Sequence, residues 1–140
     1  ASHFVSDLLK TAILKNKNRF KAISLVDNIP VMLAWSNDTS FEDIFEQQLV
    51  NYIRDGDVVI AFSGSGNSKN ILKALKYCSK FNVVSIGFSG STGGKMKKLC
   101  TTCLTVPSTD MLLIESSHVV ICHCIISYIR NKGTPKFTYE

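Results

Sequence analysis

Two apolar segments, each followed by a loop rich in serine and glycine, constrain the fold of this chain more than any other feature. The first is DVVIAF at 57–62, which leads into SGSGNS at 63–68. The second is NVVSIGF at 82–88, which leads into SGSTGG at 89–94. A short run that is apolar at almost every position is typical of a parallel strand buried on both faces. Because a helical pattern follows each loop, the sequence predicts strands that alternate with helices.

The rest of the chain continues this alternation and predicts an α/β domain, with a parallel sheet flanked by helices. Further strands are predicted at 21–26 and 102–106, and helices at 2–14, 40–54, 69–80, 93–99 and 111–130. A length of 140 residues suits one domain. We assign 1–131 to this domain and 132–140 to a C-terminal tail. Ligands of such sheets bind beyond the carboxyl ends of the strands, where both Ser/Gly loops lie.

The composition is that of an ordinary globular protein, with 45% hydrophobic and 19% charged residues. No apolar stretch is expected to reach the length of a membrane-spanning helix, and no secretory signal is recognised. The formal net charge of +5 comes from scattered lysines and arginines, so the sequence predicts no nucleic-acid binding. Five cysteines, an odd number, favour reduced thiols, a cytoplasmic location and the role of small buried hydrophobic side chains.

The loop at 63–68 predicts a phosphate site. It carries three hydroxyls, on Ser63, Ser65 and Ser68, and its glycines let the backbone approach a ligand closely. The helix that follows would present free N–H groups and the positive end of its dipole. The loop is not a Walker loop, because G-x-x-x-x-G-K-[ST] is absent. The pattern leaves open a simpler alternative, a polar turn whose serines cap the next helix.

Two pairs of acidic and histidine residues are candidates for a metal site. His3 and Asp7 are spaced i,i+4, so they share a helix face and could hold one ion. Glu115 and His123 are eight residues apart, which is a rise of about 12 Å along a helix. One continuous helix should not bring both of them to a single ion. If all four serve one site, we expect a neighbouring chain to contribute.

Simpler roles compete with these assignments. A histidine near the start of a chain, such as His3, is usually just exposed, and His123, within VVICHCII, could be a core histidine. His118 lies about 140° around the helix from His123 and is assigned a structural role. Asp110, in PSTD, is expected to cap the last helix.

Several segments, taken together, resemble the SIS (sugar isomerase) domain family. SGSGNSKNILKAL is similar to the phosphate-binding loop of the family. The segments that resemble its phosphoheptose isomerase branch are ASHFVSDL, WSNDTSFEDIFEQQL, RDGDVVIAFS, GGKMKKLC and VPSTDMLLIESSHVVICH. They follow one another in the family's order and cover nearly the whole chain. Because the branch also has a Gly-rich segment before ASHF, we expect the natural N-terminus to lie further upstream.

The resemblance implies a flavodoxin-like sandwich and a homotetramer with active sites between subunits. The implied reaction converts sedoheptulose 7-phosphate to D-glycero-D-manno-heptose 7-phosphate through an enediol, often with one zinc ion per site. It is an early step toward the heptose of bacterial lipopolysaccharide. Such a reaction needs a base, an acid and a grip on the phosphate. The alternative is a non-catalytic SIS module that binds sugar phosphates to regulate a partner.

The resemblance also implies roles for individual residues. The positions that match phosphate-binding positions are Ser63, Gly64, Ser65 and Ser68, and Gly64 stands where the branch commonly has Thr. Asn37 and Asp38 match a substrate-binding Asn-Asp pair. The matches to metal-binding positions are His3, Asp7, Glu115 and His123; of these, Asp7 and His123 also match catalytic positions, and Glu115 is expected to contact substrate. Asp7 replaces a Glu and Glu115 replaces a Gln. A base shortened by one methylene could be misplaced, and a misplacement of about 1 Å can cost about 100-fold in rate.

Overall fold

The computed structural model describes residues 1–138, which form two compact units. The first unit consists of residues 1–27 together with the chain from residue 116 onward, and the second consists of residues 28–115. The last helix, α5 (Met111–Arg130), contributes residues to both units.

A three-stranded parallel sheet organises the second unit. Its strands are β1 (Val58–Phe62), β2 (Val84–Gly90) and β3 (Thr102–Val106), in the order β1-β2-β3. The predicted α/β class with a parallel sheet is therefore confirmed. β2 lies in the centre and is buried along most of its length. β1 lies at an edge, where Val58 is 58% exposed, so the prediction that β1 is buried throughout on both faces is wrong.

The core of this unit lies between the sheet and the helices that follow its strands. Helix α4 (Lys69–Cys78) follows β1, and a 3₁₀ turn at Met96–Lys98 precedes β3. Ala61, Leu75 and Met96 form a buried apolar cluster. Because α4 begins directly after the loop at 63–68, packing of its apolar side fixes the position of that loop.

One helix was missed and one predicted strand is wrong. Residues 21–26 form no strand. Helix α2 covers Ile29–Asp38, a segment for which the sequence predicted no helix. The side-chain oxygen of Asn28 accepts a hydrogen bond from the N–H of Val31 at 3.3 Å, and Pro30 lies in the first turn. Proline favours the first helical positions, since its missing N–H is not needed there.

The helix predicted at 40–54 is shorter in the structure. Turns occupy residues 41–45, and α3 covers Glu46–Tyr52. The Ser40 hydroxyl accepts a hydrogen bond from the Glu42 N–H at 3.1 Å, so Ser40 caps this segment.

An ion-pair network joins this segment to α4. The Lys73 ammonium contacts the carboxylate of Asp43 and lies 3.4 Å from that of Glu46. The hydrogen bond between Lys73 and Asp43 lowers the pKa of Asp43 and raises the pKa of Lys73. Lys69 and Glu42 form a second pair at 2.9 Å. These contacts hold the start of α4 against the segment before α3.

The first unit begins with a helix that changes type. Helix α1 (Ser2–Ser6) continues into a π-helical turn at Asp7–Thr11, in which the Ala12 N–H donates to the Asp7 carbonyl at 2.8 Å. The predicted helix at 2–14 therefore ends early. Single π turns inside helices often occur at functional sites.

The predicted C-terminal tail is hydrogen-bonded to the rest of its unit. Leu14 and Pro135 form an antiparallel bridge. The Lys136 N–H donates to the carbonyl of Ile13 at 2.9 Å. Arg130, at the end of α5, donates to the carbonyl of Thr11 at 2.8 Å. Residues 139 and 140, the end of the predicted tail, lie outside the described residues.

Helix α5 has the predicted bounds, and its start is capped as expected. The Asp110 carboxylate accepts a hydrogen bond from the Leu112 N–H at 2.9 Å. The expectation that no apolar stretch reaches membrane-spanning length is wrong, since an 18-residue window of α5 has a mean hydropathy of 1.7. A single helix of this kind is weak support for a membrane span, because the core helix of a soluble protein passes the same test.

The cysteines only partly follow the expectation of small buried side chains. Cys78 and Cys122 are buried, and Cys100 and Cys103 are partly buried. Cys124 is exposed, so the prediction is wrong for this residue. Burial raises the pKa of the Cys78 and Cys100 thiols to about 11, which leaves both largely protonated near neutral pH.

Candidate active site

The loop at 63–68 lies at the carboxyl end of β1, as predicted. Ser63 is buried, whereas Ser65 and Ser68 are exposed. The hydroxyls of Ser63 and Ser68 lie 2.9 Å apart and share a hydrogen bond. Ser68 is the residue before α4, and among the described residues its hydroxyl makes no capping bond to that helix. Two of the predicted phosphate-binding hydroxyls are thus side by side at the amino end of a helix, where anions are favoured.

The loop at 63–68 contacts the second Ser/Gly loop and the residues that directly follow it. The N–H of Met96 donates to the carbonyl of Gly66 at 2.9 Å, and the Lys95 N–H donates to the Asn67 side chain at 3.1 Å. Gly66 and Gly94 both have positive φ angles, 65° and 55°. A Cβ on Gly66 would overlap the backbone of residues 93–94, and one on Gly94 would overlap the backbone of residues 65–66. Only glycine fits at either position without moving the other loop.

Gly64 packs beneath the side chain of Met111. A Cβ at residue 64 would overlap the Met111 sulfur, which is the mobile end of a flexible side chain. The Gly64 carbonyl accepts a hydrogen bond from the Gly90 N–H at 2.8 Å. Gly64 therefore joins the loop to the end of β2, and its predicted role toward phosphate stays a prediction.

The predicted substrate-binding pair lies at the end of α2. The Asn37 amide donates to the Asp38 carboxylate at 2.9 Å, and both residues are exposed. Their hydrogen bond fixes one carboxylate oxygen and leaves the other free to accept from a sugar hydroxyl. Their contact with substrate stays a prediction.

Three of the four predicted metal ligands converge. The Nε2 atoms of His3 and His123 are 2.8 Å apart, and Oδ2 of Asp7 lies 3.4 Å from the first and 3.7 Å from the second. The Asp7 side chain is 16% exposed, while those of His3 and His123 are 68% and 52% exposed. His123 is therefore on the surface of this unit and is not a core histidine. His118, in contrast, is 7% exposed, consistent with a structural role.

The arrangement fits a divalent metal ion. Two ligand atoms about 2.0–2.1 Å from a tetrahedral zinc ion are about 3.3 Å from each other. The three separations of 2.8, 3.4 and 3.7 Å bracket this value. Catalytic zinc sites use three protein ligands and keep a fourth position open. Two imidazoles and one carboxylate are a suitable donor set for such an ion.

Glu115 is the predicted ligand that does not belong to this cluster. It is exposed, near the start of α5. The only group of three or more candidate ligands within 4.8 Å of one another in residues 1–138 is His3, Asp7 and His123. A role for Glu115 stays a prediction that requires another chain.

Thr11, which contacts the cluster of His3, Asp7 and His123, was not identified from the sequence. The Thr11 hydroxyl donates to Oδ1 of Asp7 at 2.9 Å. The sequence contained a usable signal, because Asp7 and Thr11 have the same i,i+4 spacing as His3 and Asp7.

Comparisons with known proteins show which family this chain resembles. A model of the SIS domain matches residues 36–113. The chain is 40% identical to a phosphoheptose isomerase of Campylobacter jejuni, over 79% of the chain and 55% of that protein. It is 34% identical to a phosphoheptose isomerase of Rhodospirillum rubrum, over 94% of the chain and 69% of that protein.

A solved structure has a similar fold. A phosphoheptose isomerase from Neisseria gonorrhoeae superposes with a TM-score of 0.85 and is 26% identical, covering 94% of the chain and 69% of that structure. The chain spans about half the length of the Campylobacter relative and of a similar protein from Aneurinibacillus thermoaerophilus.

Proposed function

The chain belongs to the SIS domain family, and from this premise we propose that it is a phosphosugar aldose–ketose isomerase. The proposed substrate is sedoheptulose 7-phosphate, and the proposed product is D-glycero-D-manno-heptose 7-phosphate. The observation that carries the proposal is the convergence of Asp7, a potential base, with His123, a potential acid, 3.7 Å apart. An isomerase of this kind needs such a pair, whereas a module that only binds sugar phosphates does not.

The reaction moves one proton between neighbouring carbons. In the proposed mechanism the Asp7 carboxylate removes a proton from C1 of the ketose while His123 gives a proton to the carbonyl oxygen on C2. The product of this step is an enediol. Return of a proton to C2 and loss of the proton on the C1 hydroxyl give the aldose. Each group alternates between its acid and base forms, so atoms and charge balance over the cycle.

The loop at 63–68 holds the phosphate in this proposal. The hydroxyls of Ser63 and Ser68 share one hydrogen bond, and both can turn to an incoming oxyanion. Backbone N–H groups at the start of α4 add the favourable end of the helix dipole. Asn37 and Asp38 are proposed to bind sugar hydroxyls.

His3, Asp7 and His123 would hold one zinc ion per site. Bound there, zinc would polarise the sugar carbonyl and so favour proton removal from the neighbouring carbon. Glu115 is proposed to act from a second subunit, as a further ligand or a contact to substrate. Its negative charge, compared with Gln, favours a cation.

We further propose a cytoplasmic homotetramer that serves lipopolysaccharide synthesis. Several large apolar side chains of α5 are exposed, among them Leu112 at 76% and Val120 at 60%. Large exposed apolar patches mark interfaces between chains, and we propose that these side chains contribute to such an interface. If the active site is shared between subunits, a monomer in sedimentation that retains full activity would refute this part of the proposal.

The test of the activity uses the purified protein. It is incubated with sedoheptulose 7-phosphate in heavy water, with and without zinc, and the sugar is followed by NMR. We expect the aldose to form, with deuterium at the carbon next to the carbonyl. Binding of the sugar phosphate without turnover would refute the isomerase and move the protein to the class of binding modules.

A further inference from the structure

We propose that Thr11 is a positioning residue for the metal site, which it serves by fixing the orientation of the Asp7 carboxylate. This inference rests on the metal site of the proposed function. Thr11 donates to Oδ1 of Asp7 at 2.9 Å, and Oδ2 of the same carboxylate faces the histidines at 3.4 and 3.7 Å. Oδ1 therefore holds the carboxylate in place, and Oδ2 is the oxygen that would bind the metal ion.

Asp7 needs such a partner because its last torsion is soft. The terminal torsion of an aspartate has a broad, two-fold distribution, so the carboxylate plane is poorly fixed by its own rotamer. A hydroxyl that donates to an ionised oxygen makes a charge-assisted bond, which is stronger than a neutral one. With Oδ1 held by Thr11, only Oδ2 is directed at Nε2 of His3 and of His123.

The backbone around Thr11 is itself held in place. Thr11 ends the π-helical turn that begins at Asp7, and the Ala12 N–H closes this turn on the Asp7 carbonyl at 2.8 Å. The guanidinium of Arg130 donates to the Thr11 carbonyl at 2.8 Å and to the Phe137 carbonyl at 2.9 Å. The hydroxyl of Thr11 is therefore presented from a fixed turn.

Partners that orient a ligand are worth about 10- to 100-fold in metal affinity or activity. The threonine carries both a hydroxyl and a methyl group, and substitutions can separate them. Thr11→Val keeps the branched shape and removes the hydroxyl. Thr11→Ser keeps the hydroxyl and removes the methyl group. Thr102→Val, on an exposed position of β3, makes the same chemical change elsewhere.

The test measures zinc affinity by competition with a chelator, and the visible spectrum of the Co²⁺ form. We expect Thr11→Val to weaken zinc binding about 10- to 100-fold and to alter the cobalt spectrum. We expect Thr11→Ser and Thr102→Val to bind like the unchanged protein. Thermal melting of the metal-free variants checks folding, and Thr11→Ala replaces Thr11→Val if the latter does not fold.

Three results would overturn the inference. The first is a Thr11→Val or Thr11→Ala protein that binds zinc as tightly as the unchanged chain, and the second is an unchanged chain that binds no zinc at all. The third is a Thr11→Ser protein as weak as Thr11→Val, which would show that the site responds to any change of shape at residue 11 and not to the hydroxyl. Absence of isomerase activity with normal, Thr11-dependent zinc binding would refute the proposed function and leave this inference standing.

Discussion

Nε2 of His3 lies 2.8 Å from Nε2 of His123, across 120 residues of sequence. Two neutral imidazoles can approach so closely when one donates its proton to the other, or when both lone pairs point to a shared cation. With Asp7 within 3.7 Å of both, the second arrangement completes a ligand set. Zinc binding and proton transfer at this cluster would therefore both depend on His123.

Removal of the His123 imidazole should strongly lower turnover and leave sugar-phosphate binding largely intact. General acid–base groups contribute about 10²- to 10⁴-fold to rate, so His123→Ala is expected to lower kcat by at least about 100-fold. The NMR assay gives turnover, and calorimetry with sedoheptulose 7-phosphate gives affinity. His118→Ala serves as a comparison for stability, since this buried histidine has no proposed part in the reaction. Full activity of His123→Ala would rule out its role as the acid.

The phosphate loop should be sensitive at Ser68. Hydrogen bonds to charged groups contribute about 1.5–3 kcal/mol, so Ser68→Ala is expected to weaken sugar-phosphate binding roughly 10- to 100-fold. Ser79→Ala is the matched control, because its hydroxyl donates only to the Lys76 carbonyl at the other end of α4. Calorimetry on both variants gives the comparison. Equal affinities of Ser68→Ala and Ser79→Ala for the sugar phosphate would mean that the Ser68 hydroxyl does not bind the phosphate.

Substitution of Gly56 and of Gly66 by alanine should separate two causes of lost stability, which are backbone strain at positive φ and overlap of the new Cβ with neighbouring atoms. Gly56 has a φ of 88° and open space around its Cβ position, so Gly56→Ala is expected to cost only strain, about 1–3 kcal/mol of unfolding free energy. Gly66→Ala adds overlap with the backbone of Gly93, and should be clearly more destabilising and weaken phosphate binding. Urea unfolding measures both. Similar losses at the two positions would show that the loops can move apart freely.

The ion pair between Lys73 and Asp43 should give a defined dependence of stability on pH. The pKa of Asp43 is lowered from its ordinary value of 3.8, so the folded state binds fewer protons than the unfolded state in this range. The contribution of Asp43 is therefore complete above about pH 3.8 and is lost as pH falls through its lower folded value.

The corresponding measurement is urea unfolding of Asp43→Asn and of the unchanged chain between pH 2 and 7. We expect a stability difference at neutral pH that shrinks as the solution becomes acidic. Asp27→Asn, at a carboxylate of the first unit, is the comparison. A difference that stays constant down to the lowest pH would contradict the assigned pKa direction.

The elements that were predicted correctly depend on local sequence patterns. β1, β2 and α5 are continuous apolar or amphipathic runs bounded by turn or capping residues. Their existence follows from periodicity and burial. Helix α2 was not predicted from the sequence, although a proline in the first turn after a capping residue, as Pro30 after Asn28, is a signal for the start of a helix. The segment KAISLV at 21–26 has the composition of a strand, but strand composition alone does not supply a neighbour to pair with.

The candidate site divides in the same way. The loop at 63–68 was recognisable from its residues, because glycine and serine before a helix have a direct physical meaning. The meeting of Asp7 with His123 depends on contacts distant in sequence, and only the family resemblance indicated it. The π turn at Asp7–Thr11 differs from an α-helix by the choice of one acceptor, which residue patterns do not specify.

The backbone contact between Gly66 and Gly94 has a consequence for how this protein can evolve. A side chain gained at Gly66 or at Gly94 would overlap the main chain of the other loop. Insertions or substitutions that would reshape the region after β2 must also be tolerated by the loop after β1. New substrate preferences are therefore expected to arise from residues other than Gly66 and Gly94.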